Sequence, residues 1–203
     1  MTYYHDLITE KSFQSLQQFK RAYDFILIGG WAVYLYTKAL KSRDIDFICD
    51  YAQLQKLKEK YDLIKNDRLK KYEIHMGEFD VDIYVPFFSD LGIPVEDLAK
   101  MTKSVDGFKV LAPETLLILK QKAHVDRAAS LKGEKDKIDI IALLNSSIDI
   151  AAYKALLKKY KLGGFLPKLL RILEETREVP ELNISRHAFA RFKKKILPKL
   201  KNA

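Results

Sequence analysis

"FILIGGWAVYLY", residues 25–36, decides the fold of this chain together with "SRDIDFI", residues 42–48. The apolar run that stops at Gly29 and Gly30 is typical of a buried strand that ends in a turn, and the apolar residues from Trp31 onward predict a helix. The second stretch predicts another strand. A strand, a glycine turn, a helix and a second strand in this order predict a small sheet with helices packed against it.

The rest of the sequence predicts mixed structure in the first half and helices in the second. The spacing of apolar residues predicts an N-terminal helix over 6–22. A polar helix is predicted at 51–61, followed by extended segments at 62–67, 70–76 and 78–85. Beginning at Pro113, helices are predicted at 113–130, 134–146, 151–161, 164–177 and 185–200. We therefore predict an α+β fold, with a domain built on a small mixed β-sheet at 1–111 and an α-helical domain at 112–203.

The composition is that of an ordinary globular protein. Of the 203 residues, 48% are hydrophobic and 31% are charged, and Cys49 is the single cysteine, which excludes an intramolecular disulfide. No apolar run reaches the ~20 residues that span a bilayer, and the first residues do not resemble a signal peptide. We therefore expect a cytoplasmic protein that does not bind membranes.

The positive charge is concentrated toward the C-terminus. The formal net charge is +9, and "RFKKKILPKLKNA", residues 191–203, contains no acidic residue. A polyanion such as RNA would be attracted to such a surface over about a Debye length, ~8–10 Å. The alternative is a solvated basic helix that only keeps the protein soluble, and the charge pattern alone does not decide between the two.

Gly29 and Gly30 lie where a phosphate could bind. Glycine at a turn between a strand and a helix lets the backbone approach a bulky anion, and the first N–H groups of the helix point toward it. The alternative is a turn that needs a left-handed backbone or close packing of the helix. Taken alone, the glycine pair favours the alternative.

Two pairs of aspartates alternate within predicted strands. Asp44 and Asp46 share one face of their strand, about 6.6–7 Å apart at the backbone, because alternate residues of a strand point the same way. Asp80 and Asp82 repeat the arrangement in "FDVDIYV", residues 79–85. Carboxylates gathered in this way suit Mg²⁺ or Mn²⁺, which prefer oxygen ligands. The alternative for each pair is a solvated acidic face on an edge strand.

The glycine turn and the aspartates together predict phosphoryl-transfer chemistry. In this combination the chain resembles the DNA polymerase β-like nucleotidyltransferase superfamily, whose pattern is a glycine turn, then Asp-x-Asp, then a later Asp in an apolar strand. Over residues 24–145, "LIGGWAVYLY", "KSRDIDFI", "VDIYV", "LAPETLLILKQKAHVDR" and "KDKIDIIALL" resemble its AbiEii-type branch, which includes toxin–antitoxin proteins and relatives of aminoglycoside nucleotidyltransferases. The resemblance does not cover the C-terminal end.

The resemblance implies roles for particular residues. Asp44 and Asp46 would bind Mg²⁺ or Mn²⁺, and Asp82 would bind the second ion or act as the base. Gly29 and Gly30 would bind the nucleoside triphosphate. Many members of the superfamily have serine after the glycines, but Trp31 stands here.

Further cations and a hydroxyl complete the expected triphosphate site. Ser42 and Arg43, beside the Asp-x-Asp, are candidates for the contact that serine makes in other members. Lys120 and Arg127 share one face of the helix after Pro113, and the resemblance favours a contact with the triphosphate. Pairing of these two cations with Asp136 or Asp139 of the next helix is the alternative, and the sequence does not decide between them.

The predicted activity is transfer of a nucleoside monophosphate from a nucleoside triphosphate to an acceptor hydroxyl, with two Mg²⁺ ions. We expect the acceptor to be RNA, in particular a tRNA 3′ end, then a protein hydroxyl, then a small aminoglycoside-like molecule. A cognate antitoxin protein is a further expected partner. The rival hypothesis is a silent module of the same fold that binds nucleotide or RNA without turnover.

Overall fold

The computed structural model describes residues 2–146 and 148–202, which form an α+β fold. The chain divides into two units, Met1–Ala112 and Pro113–Ala203. The first contains a seven-stranded mixed sheet with helices, and the second contains helices. The predicted fold class is therefore confirmed.

The strands of the first unit are short. They are β1 (Ile26–Ile28), β2 (Ile45–Ile48), β3 (Ile64–Asn66), β4 (Lys71–His75), β5 (Asp80–Tyr84), β6 (Thr102–Val105) and β7 (Phe108–Leu111). Their order in the sheet is β3-β4-β5-β2-β1-β7-β6. The pairs β1/β7 and β2/β5 are parallel, and the other pairs are antiparallel. This order places β2 and β5, the two strands with paired aspartates, side by side at the centre.

The helices of the first unit are α1 (Thr2–Ala22), α2 (Gly29–Thr37), α3 (Tyr51–Lys60) and α4 (Val95–Leu98). The core contains the apolar face of the central strands, where Phe47, Val81 and Ile83 are fully buried. Trp31 is also buried, and its Nε1 donates a hydrogen bond of 2.9 Å to Ser12 Oγ. Trp31, which follows the glycine pair, therefore packs in the core.

The second unit is helical throughout its described residues. Its elements are α5 (Pro113–Arg127), α6 (Leu131–Asn145), α7 (Ile150–Lys159), α8 (Phe165–Glu175), a 3₁₀ turn (Pro180–Leu182) and α9 (Arg186–Lys201). Ser130, Asp149 and Ser185 cap α6, α7 and α9 by accepting bonds from backbone N–H groups of the first turn, as these residue types do at helix N-termini. Within the described parts of both units, no helix is long and apolar enough to cross a membrane.

The hairpin β6–β7 and the short helix α4 were not predicted. The signal for the hairpin is "DG" at Asp106 and Gly107, whose φ angles are 49° and 73°. Two residues with positive φ build the tight turn that matches the twist of antiparallel strands. Because the strands on either side of the turn are only four residues long, they show too little alternation to be predicted as strands.

Candidate active site

A row of carboxylates crosses three neighbouring strands of the sheet. In the parallel pair β2/β5, Asp46 lies opposite Asp82, and in the antiparallel pair β4/β5, Glu73 lies opposite Asp82. Residues that face each other on paired strands project from the same side of the sheet. The three side chains, which we call the acidic row, are half-buried on the side opposite the apolar core.

Gly29 lies directly against the acidic row. Its φ is +68°, and a Cβ atom at this position would lie 2.0 Å from Asp46 Oδ2. Glycine is therefore required both for the left-handed backbone and for the approach of the carboxylate. Gly29 begins α2 and buried Gly30 follows it, so the Asp46 carboxylate lies beside the positive end of that helix, where a negative charge is stabilised by the helix dipole.

Lys71 supplies the positive charge within the acidic row. Its Nζ lies 2.6 Å from Asp82 Oδ2 and 2.8 Å from Glu73 Oε1, and its side chain is only 13% exposed. Burial, and then the charge of Asp46, raise the pKa of the Asp82 carboxyl to about 6, against the opposing effect of Lys71. A carboxyl whose pKa lies near neutrality can both accept and release a proton at physiological pH.

Asp80 occupies a different environment from Asp82. Asp80 pairs with His75 on β4, where His75 Nδ1 lies 2.7 Å from Asp80 Oδ1. Both of these side chains are exposed. In addition, the strand pairing places Asp82, and not Asp80, opposite Asp46.

Asp44 lies just before β2, and its Oδ1 is 3.4 Å from the backbone N of Asp80. Arg43 is more than half exposed, and its Nε lies 3.7 Å from Asp44 Oδ1. Ser42 is 5% exposed. A contact of Ser42 or Arg43 with a triphosphate stays a prediction, and the Ser42 hydroxyl would have to become accessible to make one.

The chemistry of the acidic row suits Mg²⁺ or Mn²⁺, because every donor is a carboxylate oxygen. Within residues 2–146 and 148–202, no group of three His, Cys, Asp or Glu side chains has an arrangement that could hold a metal ion. Asp82 instead accepts a hydrogen bond of 2.6 Å from the Lys71 ammonium. Binding of a metal by Asp44, Asp46 and Asp82 stays a prediction, and the ion would compete with Lys71 for Asp82.

Lys71 and Glu73 were missed in the sequence, although a signal for them exists. The alternation in "KKYEIHM", residues 70–76, places Lys71, Glu73 and His75 on one face of the predicted strand. What the sequence does not give is which strand lies next to it. Only the pairing of β4 with β5 brings this face beside Asp82.

Lys120 and Arg127, in the second unit, form ion pairs with α6. Lys120 Nζ lies 3.2 Å from Asp136 Oδ1 and 2.7 Å from Asp139 Oδ2. Arg127 donates from Nε and Nη2 to both oxygens of Asp136, at 2.7 and 3.0 Å. This is the pairing that the sequence left open as the alternative. A role for either cation in binding triphosphate stays a prediction.

The basic C-terminal segment forms an amphipathic helix. Phe189, Ile196 and Leu200 of α9 are buried, whereas its exposed positions include Arg191, Lys194, Lys195 and Lys199. The helix therefore has a structural side and a cationic side. The RNA contact predicted for this segment stays a prediction, and the exposed cations of α9 are the residues that would make it.

Comparison with known proteins gives a shared fold. No family model matches the chain, and no curated protein matches it. A proposed nucleotidyltransferase from H. pylori is similar over 96% of both chains, with 17% identity and a TM-score of 0.50. The Megavirus polyadenylate synthase is similar over 68% of this chain and 31% of its own, with 21% identity and a TM-score of 0.47. ANT(2″)-Ia, solved with adenylyl-2″-tobramycin, is similar over 70% of this chain and 88% of its own, with 11% identity and a TM-score of 0.48. At these identities the likeness concerns the fold alone, and the AbiEii-type branch stays a prediction.

Proposed function

We propose that this chain is a metal-dependent nucleotidyltransferase. The observation that carries the proposal is the register of β2 and β5, which sets Asp46 beside Asp82 where Gly29 begins α2. Carboxylates beside the start of a helix combine a cation site with backbone N–H groups that can bind phosphate. The shared fold with the proposed nucleotidyltransferase from H. pylori supports the same function.

In the proposed reaction, the acceptor oxygen forms a bond to the α-phosphorus, and the bond between the α- and β-phosphates breaks. Pyrophosphate leaves, and the hydroxyl proton passes to Asp82, whose pKa of about 6 suits a general base. Asp44 and Asp46 would hold Mg²⁺ or Mn²⁺. When bound, such ions neutralise the charge that develops on the phosphates. Gly29 and Gly30 would bind the triphosphate through the start of α2.

Among possible acceptors, we place RNA first, particularly a tRNA 3′ end, because the chain is strongly basic and α9 has a cationic side. A protein hydroxyl comes second and a small aminoglycoside-like molecule third. The resemblance to the AbiEii-type branch adds a proposed antitoxin as partner, and we place the reaction in the cytoplasm.

The contact of Lys71 with Asp82 favours a second candidate, a silent module of the same fold. If the ammonium stays on Asp82 when nucleotide and Mg²⁺ are present, and keeps both the metal ion and the acceptor proton from this carboxylate, Asp82 cannot act as ligand or base. The protein would then bind nucleotide or RNA without transferring a nucleoside monophosphate.

One experiment separates these candidates. The protein is incubated with each nucleoside triphosphate labelled in the α-phosphate, with Mg²⁺, and with total RNA or whole lysate. A transferase labels one macromolecule or small molecule, and the variant that combines Asp46→Asn with Asp82→Asn does not. Nucleotide binding without any labelled product would instead support the silent module.

A further inference from the structure

An aromatic and basic surface lies at the β3 edge of the sheet, away from the acidic row. We call it the Phe87 patch, and it consists of Lys65, Lys70, Tyr72, Phe87 and Phe88. Tyr72 lies opposite Lys65 on β3 and opposite buried Ile83 on β5. Because neighbouring residues of a strand alternate, Tyr72 projects from the opposite side of β4 to Glu73.

Phe88 organises the cations of the patch. The Nζ atoms of Lys65 and Lys70 lie 4.7 and 5.3 Å from the centre of its ring, within the range of a cation–π contact. The Tyr72 ring lies 5.4 Å from the Phe88 ring. Lys65 also pairs with Asp67 at 2.8 Å. Two ammonium groups are thus held beside aromatic rings on an exposed surface.

Phe87 is a large aromatic residue that does not pack in the core. Phe87 is 86% exposed to solvent, and its φ is 62°. A left-handed backbone is unfavourable for a bulky residue, and such outliers cluster at sites of function. Two hydrogen bonds close the turn: Ser89 N donates to Val85 O at 3.1 Å, and Val85 N donates to Ser89 Oγ at 3.0 Å. The turn therefore holds an aromatic ring out into solvent.

We propose that the Phe87 patch binds a single strand of nucleic acid, with a base stacked on Phe87 and phosphates contacted by Lys65 and Lys70. Surfaces for single strands combine aromatic rings, which stack with any base, and cations, which follow the backbone. A duplex is a poor ligand because its bases are already stacked on one another. The proposal rests on the proposed function only in taking the strand to be the acceptor.

The test measures binding without nucleotide or metal, by fluorescence anisotropy with labelled oligouridine and oligoadenosine of about 12 nucleotides. Phe87→Gly removes the ring and suits the left-handed backbone, so a loss of binding cannot be assigned to new strain. We expect affinity to fall about tenfold in Phe87→Gly. In Lys70→Gln we expect the slope of log affinity against log salt to decrease by about 0.7.

Two matched variants serve as controls. Leu131→Ala removes another exposed apolar side chain, 92% exposed, at the start of α6. Lys103→Gln removes an exposed cation on β6, the opposite edge of the same sheet. Neither variant should change the affinity for the oligonucleotide by more than about twofold, apart from the general effect of removing one positive charge in Lys103→Gln.

The proposal would be overturned if Phe87→Gly binds the oligonucleotide as tightly as the wild type, or if a duplex of the same length binds equally well. It would also be overturned if the wild type sediments as a dimer, and Phe87→Gly dissociates this dimer without changing the affinity for the oligonucleotide. The last result would make the patch an interface between two copies of the chain. If the protein binds the strand through Phe87 but transfers no nucleotide, the proposed binding surface would be supported and the proposed transferase function would be wrong.

Discussion

The Lys71 ammonium lies 2.6 Å from Asp82 Oδ2 and 2.8 Å from Glu73 Oε1, on the side of the sheet that also carries Asp46. One cation thus neutralises part of a row of carboxylates that would otherwise repel one another. A divalent ion that binds Asp46 and Asp82 must compete with this lysine. If the acidic row binds metal as proposed, we expect Lys71 to lower its affinity.

Replacing Lys71 with methionine should strengthen metal binding. The variant keeps a long unbranched side chain and removes the competing charge, so we expect Mn²⁺ affinity to rise about tenfold, equivalent to ~1.4 kcal/mol. Calorimetric titration without nucleotide, at about pH 8 so that Asp82 is ionised, measures the change. Lys65→Met, which removes the exposed partner of Asp67, is the control. Unchanged Mn²⁺ affinity in Lys71→Met would mean that Lys71 does not compete with metal.

Asp82 and Asp80 should differ in their contribution to turnover. Asp82→Asn removes a carboxylate in register with Asp46, so we expect kcat to fall at least ~10²-fold while nucleotide affinity stays nearly the same. Asp80→Asn removes the partner of His75, and we expect a decrease within about tenfold. Steady-state kinetics with the identified acceptor measures both. The reverse order of effects would show that the site is assigned two residues out of place.

Gly29→Ala should damage the acidic row, whereas Gly77→Ala should not. Both glycines have positive φ, +68° and +82°, so both substitutions add backbone strain of about 1–2 kcal/mol. Only at Gly29 would the new Cβ meet Asp46, 2.0 Å from Oδ2, and around Gly77 nothing lies within 4 Å. Urea unfolding should show a larger loss of stability for Gly29→Ala, and Mn²⁺ titration should show weaker binding. Equal losses in the two variants would contradict the contact.

Asp136→Ala should destabilise the second unit strongly. Asp136 is 1% exposed and pairs with both Lys120 and Arg127. Lys120 keeps Asp139 as a second partner at 2.7 Å, so the expected cost is that of leaving buried hydrogen-bonding groups unsatisfied, ~1–3 kcal/mol. Asp126→Ala removes an exposed partner of Lys122 on α5 and should cost less than ~0.5 kcal/mol. Denaturant unfolding followed by circular dichroism measures both. A small effect for Asp136→Ala would mean that the cluster reorganises or admits water.

The cationic side of α9 should contribute to RNA affinity if RNA is the acceptor. Glutamine at Arg191, Lys194 and Lys195 removes exposed charges and leaves the buried residues of α9 in place. The slope of log affinity against log salt should decrease by about 2 for single-stranded RNA. Filter binding at several salt concentrations measures the slope. If the three substitutions do not change the slope, α9 does not contact RNA, and its exposed charges only keep the protein soluble.

The sequence predicts the elements of the site better than their arrangement. The alternation of Asp80, Val81, Asp82 and Ile83 follows from a local rule, so the carboxylates were correctly expected opposite the core face. The register of Asp46 with Asp82 joins strands 36 residues apart, and no local pattern determines it. Lys71 was missed for the same reason, because its partner on β5 is known only from the pairing of β4.

Other differences have local causes. The hairpin at Asp106 and Gly107 was missed although its turn signal is strong, because its strands are too short to show alternation. Binding of a phosphate by Gly29 stays a prediction, and the structure adds a second reason for glycine there, because a Cβ would meet the Asp46 carboxylate. A sequence indicates that a residue must be small without indicating what lies against it.

The order of the sheet also has a consequence for how the protein behaves at high concentration. The strands at its two ends, β3 and β6, have three and four residues and carry the exposed lysines Lys65 and Lys103. Short, charged edges are poor templates for pairing with a strand of another molecule. Joining two such edges would bring like charges together while forming few backbone hydrogen bonds. Sheet-to-sheet aggregation of the folded protein is therefore disfavoured at both ends, and more so at low ionic strength, where repulsion between lysines is least screened.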